Sequence, residues 1–352
     1  MCFTVFTKSK MIKAIFKLAE SGWLPDVIIK IGAKFLSQKR LADPSLVDQK
    51  KQLLKDFAAG AIAEETAAAN EQHYEVPPKF FQQVLGQKLK YSCSLYNLDG
   101  SKEISLDEAE INMLNLYLKR AGIQSGQNIL DLGCGWGSFS LYAAEQFPES
   151  TFTAVSNSSD QIAFINAQAK DRGLNNLKAI RQDVNNLRFD QQFDRIVSIE
   201  MFEHLRNYDS ILKTLNSYLK DDGKLFIHIF CHKEHIYLYE IKHDFDWMTK
   251  YFFLGGVMPS LDIFSHFPKY FEVENRWEVN GNHYSITSKD WLRKHVQNKK
   301  QIMQIFAAHY DNPSTWYYRW KIFFLTCEVF FALNNGEEYF VSHHLLKKNI
   351  DK

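Results

Sequence analysis

Residues 200–204, Glu-Met-Phe-Glu-His, place two carboxylic acids and an imidazole within about one turn of chain. If that stretch is helical, Glu200, Glu203 and His204 fall at i, i+3 and i+4 and share one face. Such residues rarely serve packing. The competing reading is a solvated surface cluster. As a site, the acids would attract a cationic group, and an imidazole with an intrinsic pKa near neutrality would take or relay its proton. A protonated aliphatic amine has that need, because its lone pair cannot attack until a proton leaves.

A second group lies at 129–137, ILDLGCGWG. A dinucleotide site needs GxGxxG and an acid at the end of the following strand. Here Gly133, Gly135 and Gly137 alternate, one residue too tight, and the next strand runs into VSNSSDQ with Ser156 and Asn157 in the acid's place. No GK[ST] follows, so a P-loop is excluded. A close backbone turn behind Asp131 suits a small ligand with an amino-acid moiety. Its ammonium can meet Asp131 or nearby carbonyls, and its carboxylate the helix N-terminus after Gly137. S-adenosylmethionine is such a ligand, and the turn is expected to hold this methyl donor. Beside it, the Glu/Glu/His set reads as amine methylation, with the remaining rate coming from aligning nitrogen, methyl carbon and sulfur.

The elements that must position these groups are legible as alternation. A capping box at Ser105 and Glu108 opens a helix to about Ala121. Strands at 128–132, 151–156, 177–182, 195–200 and 224–230 then alternate with helices near 137–147, 159–172 and 206–219, the rhythm of a doubly wound, mostly parallel α/β sheet. Both candidate sites fall at carboxyl ends of strands, where ligands of such sheets bind. Earlier, residues 8–41 form two helices broken at Gly22 and Pro25, and an alanine-rich helix covers 45–69. The paired prolines of HYEVPP (73–78) close this prologue. The first helix is basic and amphipathic, and packing on its own protein outweighs a membrane surface as its use. Residues 232–320 read as a helical insertion, and 271–279 with 338–346 as an antiparallel pair at the sheet edge. The layout expected is a helical N-terminal region (1–75), linking and cofactor-covering helices (76–121), the donor-binding core (122–232), a helical substrate cap with an edge strand (233–320), and a closing helix and strand (321–352).

Composition sets the outer limits. With 352 residues the chain can bury a substantial core, and a net charge of +1 gives no bulk attraction to nucleic acid. Five scattered cysteines show no CxxC spacing, so neither a disulfide framework nor a metal site is expected. A reducing, cytoplasmic setting is the simplest reading. Trp316–Leu333 carries Arg319, Lys321 and Glu328, too many charges to span a bilayer.

With these residues in view, the whole chain resembles the cyclopropane-fatty-acyl-phospholipid-synthase-like family of S-adenosylmethionine-dependent methyltransferases, and within it the coclaurine N-methyltransferase branch. The likeness rests on LPDVIIKIGAKFLSQKRL, YEVPPKFF, YSC, LDLGCGWGS, SNSSDQ, FDRIVSIEMFEH, NYD, GGVMPS, NGNHY and NNGEEY, nearly end to end. It implies a class I, Rossmann-like methyltransferase core. The implied donor site includes Ser92, Gly133, Asn157, Gln161, Asp183, Val184 and Ile199, with Asp183 accepting the adenine amino group and Val184 and Ile199 walling the ring. Lipid enzymes of the family resemble this chain too, and in them a bound bicarbonate acts as base. The matching positions are Cys93, Glu203, His228 and Tyr284, with backbone near Phe230. They typically carry glycine where this chain has Glu200, and a carboxylate there suits an amine better than an acyl chain. Trp320 matches a tryptophan of the N-methyltransferases and is a candidate wall for a flat cation. His343 and His344, adjacent on a strand, read as structural. The expected partner is a small-molecule amine, with an unsaturated phospholipid or membrane surface as the alternative and a homodimer left open.

Overall fold

The computed structural model describes residues 12–63 and 76–349. Residues 8–11 of the first expected helix, 64–69 of the third and the HYE of HYEVPP lie outside them. Helix α1 covers 12–20, and α2 covers Asp26–Leu41 after the break at Gly22 and Pro25. Helix α3, Leu46–Asp56, ends earlier than its alanine content suggests, and the chain turns at Gly60, whose φ is +82°. The paired prolines do more than close the prologue. Pro78 occupies the first turn of α4, Pro78–Val84, where its missing N–H costs nothing.

Helix α5, Leu106–Ala121, begins on the capping box read from the sequence, with Ser105 and Glu108 satisfying each other's backbone N–H groups. The core then alternates as expected: β1 Asn128–Leu132, α6 Ser138–Gln146, β2 Thr151–Ser156, α7 Ser159–Asp171, β3 Leu177–Arg181, β4 Phe193–Ile199, α8 Tyr208–Tyr218 and β5 Leu219–His232. The short strands β6 (Tyr237–Leu238) and β7 (Val257–Met258) pair with each other, and β8 covers Phe271–Val279. Helices α9 (Gly281–Gln297), α10 (Lys299–Ala307) and α11 (Pro313–Phe331) precede β9 (Tyr339–Lys348). The sheet order is β3-β2-β1-β4-β5-β9-β8. Strands β1 to β5 are parallel, and the expected late pair adds β9 and β8 antiparallel at the edge. The order reverses between β1 and β4, the switch point at which the glycine turn and Glu200 both emerge.

The insertion after β5 is not helical throughout. Residues 233–270 hold the β6–β7 pair, one π turn and one 3-10 turn, and helices start only at Gly281. Aromatic contacts rather than periodic packing order this stretch. Tyr239 stacks on Phe253 at 5.1 Å, and Trp247 donates to Glu20 at 2.8 Å, which ties the segment to α1. Helix α11 runs unbroken through the expected boundary at 320/321. Ion pairs Asp26–Lys321 (2.6 Å), Lys30–Glu328 (2.7 Å) and Glu20–Arg319 (3.1 Å) fasten the N-terminal helices to it, and Phe16 stacks on Trp247. The basic first helix thus packs on its own protein. Among the described residues no helix is long and apolar enough to cross a membrane.

Candidate active site

At the switch point the Glu-Met-Phe-Glu-His stretch does not continue as an α-helix. Only Phe202–His204 form a single 3-10 turn, and Glu200 before it takes a left-handed backbone with φ +46°. The shared helical face expected of the three residues is therefore replaced by a fan. Glu200 points to one set of partners, Glu203 to another, and His204 lines the cavity. That cavity, about 2040 Å³, stretches from the glycine turn to the aromatic insertion and is large enough for two ligands of moderate size.

Glu200, on its wall, is fully satisfied. Its Oε1 accepts the Cys93 backbone N–H at 3.0 Å and lies 3.1 Å from His228 Nε2, while Oε2 accepts the Tyr284 hydroxyl at 2.6 Å. Burial raises its pKa, against the Lys90 charge and the Tyr284 and Cys93 hydrogen bonds. Lys90 is 1% exposed and donates to Ser92 Oγ (2.6 Å) and the Cys93 carbonyl (2.5 Å). Burial lowers its own pKa to about 8. Glu203 sits behind the wall, 1% exposed, with Oε1 accepting the Phe230 N–H at 3.0 Å and Oε2 without a partner among the described residues. Burial first, and then the Glu200 charge, push its pKa well up. It does not line the cavity beside Glu200, as the sequence suggested. His204 is driven the other way, to a pKa of about 4 by burial, and is a neutral imidazole near pH 7.

The donor side of the cavity is the glycine turn. Gly133 has φ +80°, and a Cβ there would stand 2.5 Å from Met201 Cγ, so the turn packs directly on the Glu-Met-Phe-Glu-His stretch. Asp131 is 2% exposed, accepts the Ser140 hydroxyl, and is raised to about pKa 7 by burial. Ser138, opening α6 behind the turn, lines the cavity with a buried hydroxyl that has no partner among the described residues. A glycine cradle, an acid and an unpaired hydroxyl at a helix N-terminus fit the amino-acid end of S-adenosylmethionine.

Of the residues singled out from sequence, Ser92, Asp131, Gly133, Gly135, Gln161, Ile199, Glu200, His204 and Tyr284 line this cavity. Cys93 and His228 stand directly behind Glu200 as its donors. Asn157, Asp183 and Val184 do not line it. The Asn157 carbonyl accepts from Arg181, and Asp183 caps a 3-10 turn through the Asn185 N–H at 2.8 Å. Trp320 is also displaced from its expected place. It is fully buried among Phe80, Phe81 and Phe252, behind the wall rather than on it. The wall there is Trp291, Phe323, Phe330 and Phe331, with Tyr284 stacked on Phe331 at 4.2 Å. Sequence reasoning missed Lys90, for which no spacing signal exists, and gave His343 a purely structural part although it touches His228.

A family model described as mycolic acid cyclopropane synthetase matches residues 63–339. The chain belongs to this cyclopropane-synthase-like family of S-adenosylmethionine-dependent methyltransferases. It is 34% identical to (S)-coclaurine N-methyltransferase of Thalictrum flavum subsp. glaucum over 98% of each chain. It is 33% identical to pavine N-methyltransferase of the same plant over 97% of this chain and 98% of the other. The crystal structure of a coclaurine N-methyltransferase bound to N-methylheliamine and S-adenosylhomocysteine superposes with a TM-score of 0.90 at 33% identity, covering 96% of this chain and 100% of that one. As a family member the chain is an enzyme using S-adenosylmethionine.

Proposed function

We propose that this methyltransferase N-methylates a small or medium aromatic amine, with Glu200 binding the ammonium and His204 taking its proton. What carries the amine reading is the state of Glu200. Three donors, Cys93 N–H, His228 and Tyr284 Oη, converge on its carboxylate, which still opens on an aromatic cavity. By resemblance, these same positions would serve a bicarbonate in the lipid enzymes. Here a side chain already fills them, so the anion that lipid chemistry needs as a base is replaced by a fixed carboxylate suited to a cation.

Ser92, Asp131, Gly133, Gly135, Gln161 and Ile199 would hold S-adenosylmethionine, which when bound supplies an electrophilic methyl group. The chain's own part is to prepare the nucleophile. Glu200 anchors the ammonium in a mostly apolar cavity, where a charge-assisted bond is stronger than in water. Neutral His204 accepts the N–H proton and passes it to water at the cavity mouth, leaving the nitrogen lone pair free. Trp291, Phe323, Phe330 and Phe331 offer ring faces to an aromatic cation.

A labelled methyl-donor assay with an amine panel and unsaturated phospholipid vesicles, each with and without bicarbonate, tests this. Label in an amine, lost in Glu200→Ala, is the expected result. Label in lipid, stimulated by bicarbonate, would overturn it and move the chemistry to Cys93, Glu203, His228 and Tyr284.

A further inference from the structure

Behind Glu200 a line of side chains leads out to half-buried Arg120, near the end of α5. The Arg120 guanidinium lies over the Trp277 ring at 5.0 Å and, among the described residues, forms no ion pair with a carboxylate. Its Nη1 reaches His343 Nδ1 at 2.7 Å. His343 Nε2 is 2.9 Å from His228 Nδ1, and His228 Nε2 is 3.1 Å from Glu200 Oε1. Both imidazoles are 0% exposed, and burial pushes both pKa values well down, so they are neutral.

The direction of every bond in this line follows from its outer end. A guanidinium only donates, so His343 Nδ1 must accept and His343 carries its hydrogen on Nε2. That hydrogen points at His228 Nδ1, which must accept in turn. His228 therefore carries its hydrogen on Nε2 and donates it to Glu200. Tyr117 Oη lies 2.9 Å from the same nitrogen. The opposite order would aim the His228 Nε2 lone pair at Glu200 and favour the protonated acid. We propose that Arg120 and His343 are positioning residues that set the His228 tautomer and so hold Glu200 as a carboxylate. This rests on the reading of Glu200 as the ammonium's partner.

The other groups facing Glu200 are Lys90, Cys93, Glu203, His204, Tyr117, Tyr284 and Cys327. None of them fixes the His343 tautomer, so the outer end of the line can be tested separately. The variants are Arg120→Met and His343→Leu, which break the line, and Arg120→Lys and His343→Gln, which keep its donor order. An amide can accept from Arg120 and donate to His228. Affinity for 1,2,3,4-tetrahydroisoquinoline, protonated throughout, is measured by calorimetry on the full chain from pH 5.5 to 8.5, alongside the acid limb of kcat/KM.

In the breaking pair both should shift upward by about one pH unit, making binding about tenfold weaker below the wild-type transition and equal at pH 8.5. The conservative pair should follow the wild type. If one breaking variant does not fold, the other carries the test. A loss independent of pH, or an unmoved acid limb, would overturn the proposal. Glu200→Gln separates the two readings. If it leaves amine affinity and its pH dependence intact, the ammonium reading itself fails. If it abolishes them while Arg120→Met shifts nothing, only the positioning line fails.

Discussion

Replacing Glu200 by glycine removes the carboxylate while suiting the backbone. At φ +46° a non-glycine residue costs about 1–2 kcal/mol, which glycine recovers. Against that, three donors lose their acceptor, but the site opens on the cavity and water can enter, so the melting temperature should change by only a few degrees. The chemical loss is larger. A hydrogen bond to a charged group contributes about 1.5–3 kcal/mol, so kcat/KM for an amine should fall about 10- to 140-fold at 1.4 kcal/mol per decade. The vacated cage of Cys93 N–H, His228 and Tyr284 Oη then matches a small planar anion. Formate or bicarbonate at tens of millimolar should restore part of the lost rate in Glu200→Gly and none in the wild type. The assay is initial methyl-transfer rate against anion concentration. Wild-type kcat/KM in Glu200→Gly, or a deep loss that neither anion relieves, would refute the view that a carboxylate in this cage binds the amine.

Three further outcomes are expected. Ser105→Ala removes the capping box of α5 and should cost about 1 kcal/mol by urea denaturation, with kcat/KM unchanged. Gly281→Ala places a Cβ 2.1 Å from the Tyr339 carbonyl oxygen and 2.4 Å from that of Phe331, so the start of α9 must shift, and urea titration should show a loss of about 3 kcal/mol. Acid should destabilise the fold. His204, His228, His232, His283, His295, His343 and His344 are all pushed down by burial, so from about pH 6.5 to 4 the unfolded chain binds more protons and stability falls with pH. Glu110, Asp131, Glu200 and Glu203, raised by burial, act in the opposite direction, but they are fewer. A urea midpoint that rises from pH 7 to pH 5 would refute this balance.

The sheet was legible because its signals are local. Apolar runs of five to seven residues ending in turns gave β1 to β4 within a residue or two, and Ser105 with Glu108 announced α5. The insertion was not, since rings such as Tyr239 on Phe253 bury themselves pairwise and leave no period to read. The site was half legible. The glycine turn and the acids were visible by type, but the fan of Glu200, Glu203 and His204 depends on one left-handed residue, and a 3.6-residue period assumes none. Trp320 shows the same limit in another form. Its match to a tryptophan of relatives fixes its type, while the facing rings of Phe80 and Phe252 decide that it is core. His343 was read as structural from strand alternation, which gives the side of a strand but not the partner across it. Only the register His228↔His343 between β5 and β9 brings the two rings together.

The backbone at position 200 also relates the two chemistries of the family. Its N–H donates to the His228 carbonyl at 2.9 Å at the end of β4, and φ is +46°, a conformation that glycine adopts freely and glutamate does not. A glycine here would cost nothing and would leave the donors open to an exogenous anion. A glutamate is strained, and strain of about 1–3 kcal/mol at a buried position persists only where the surroundings over-determine it. Three hydrogen bonds do so here, each contributing about 1 kcal/mol or more. On the proposed reading, the same turn, strand register and donors would serve either a bound anion acting as base or a built-in carboxylate that receives an amine. The change between them would need no rebuilding of the fold, only a side chain at one left-handed residue.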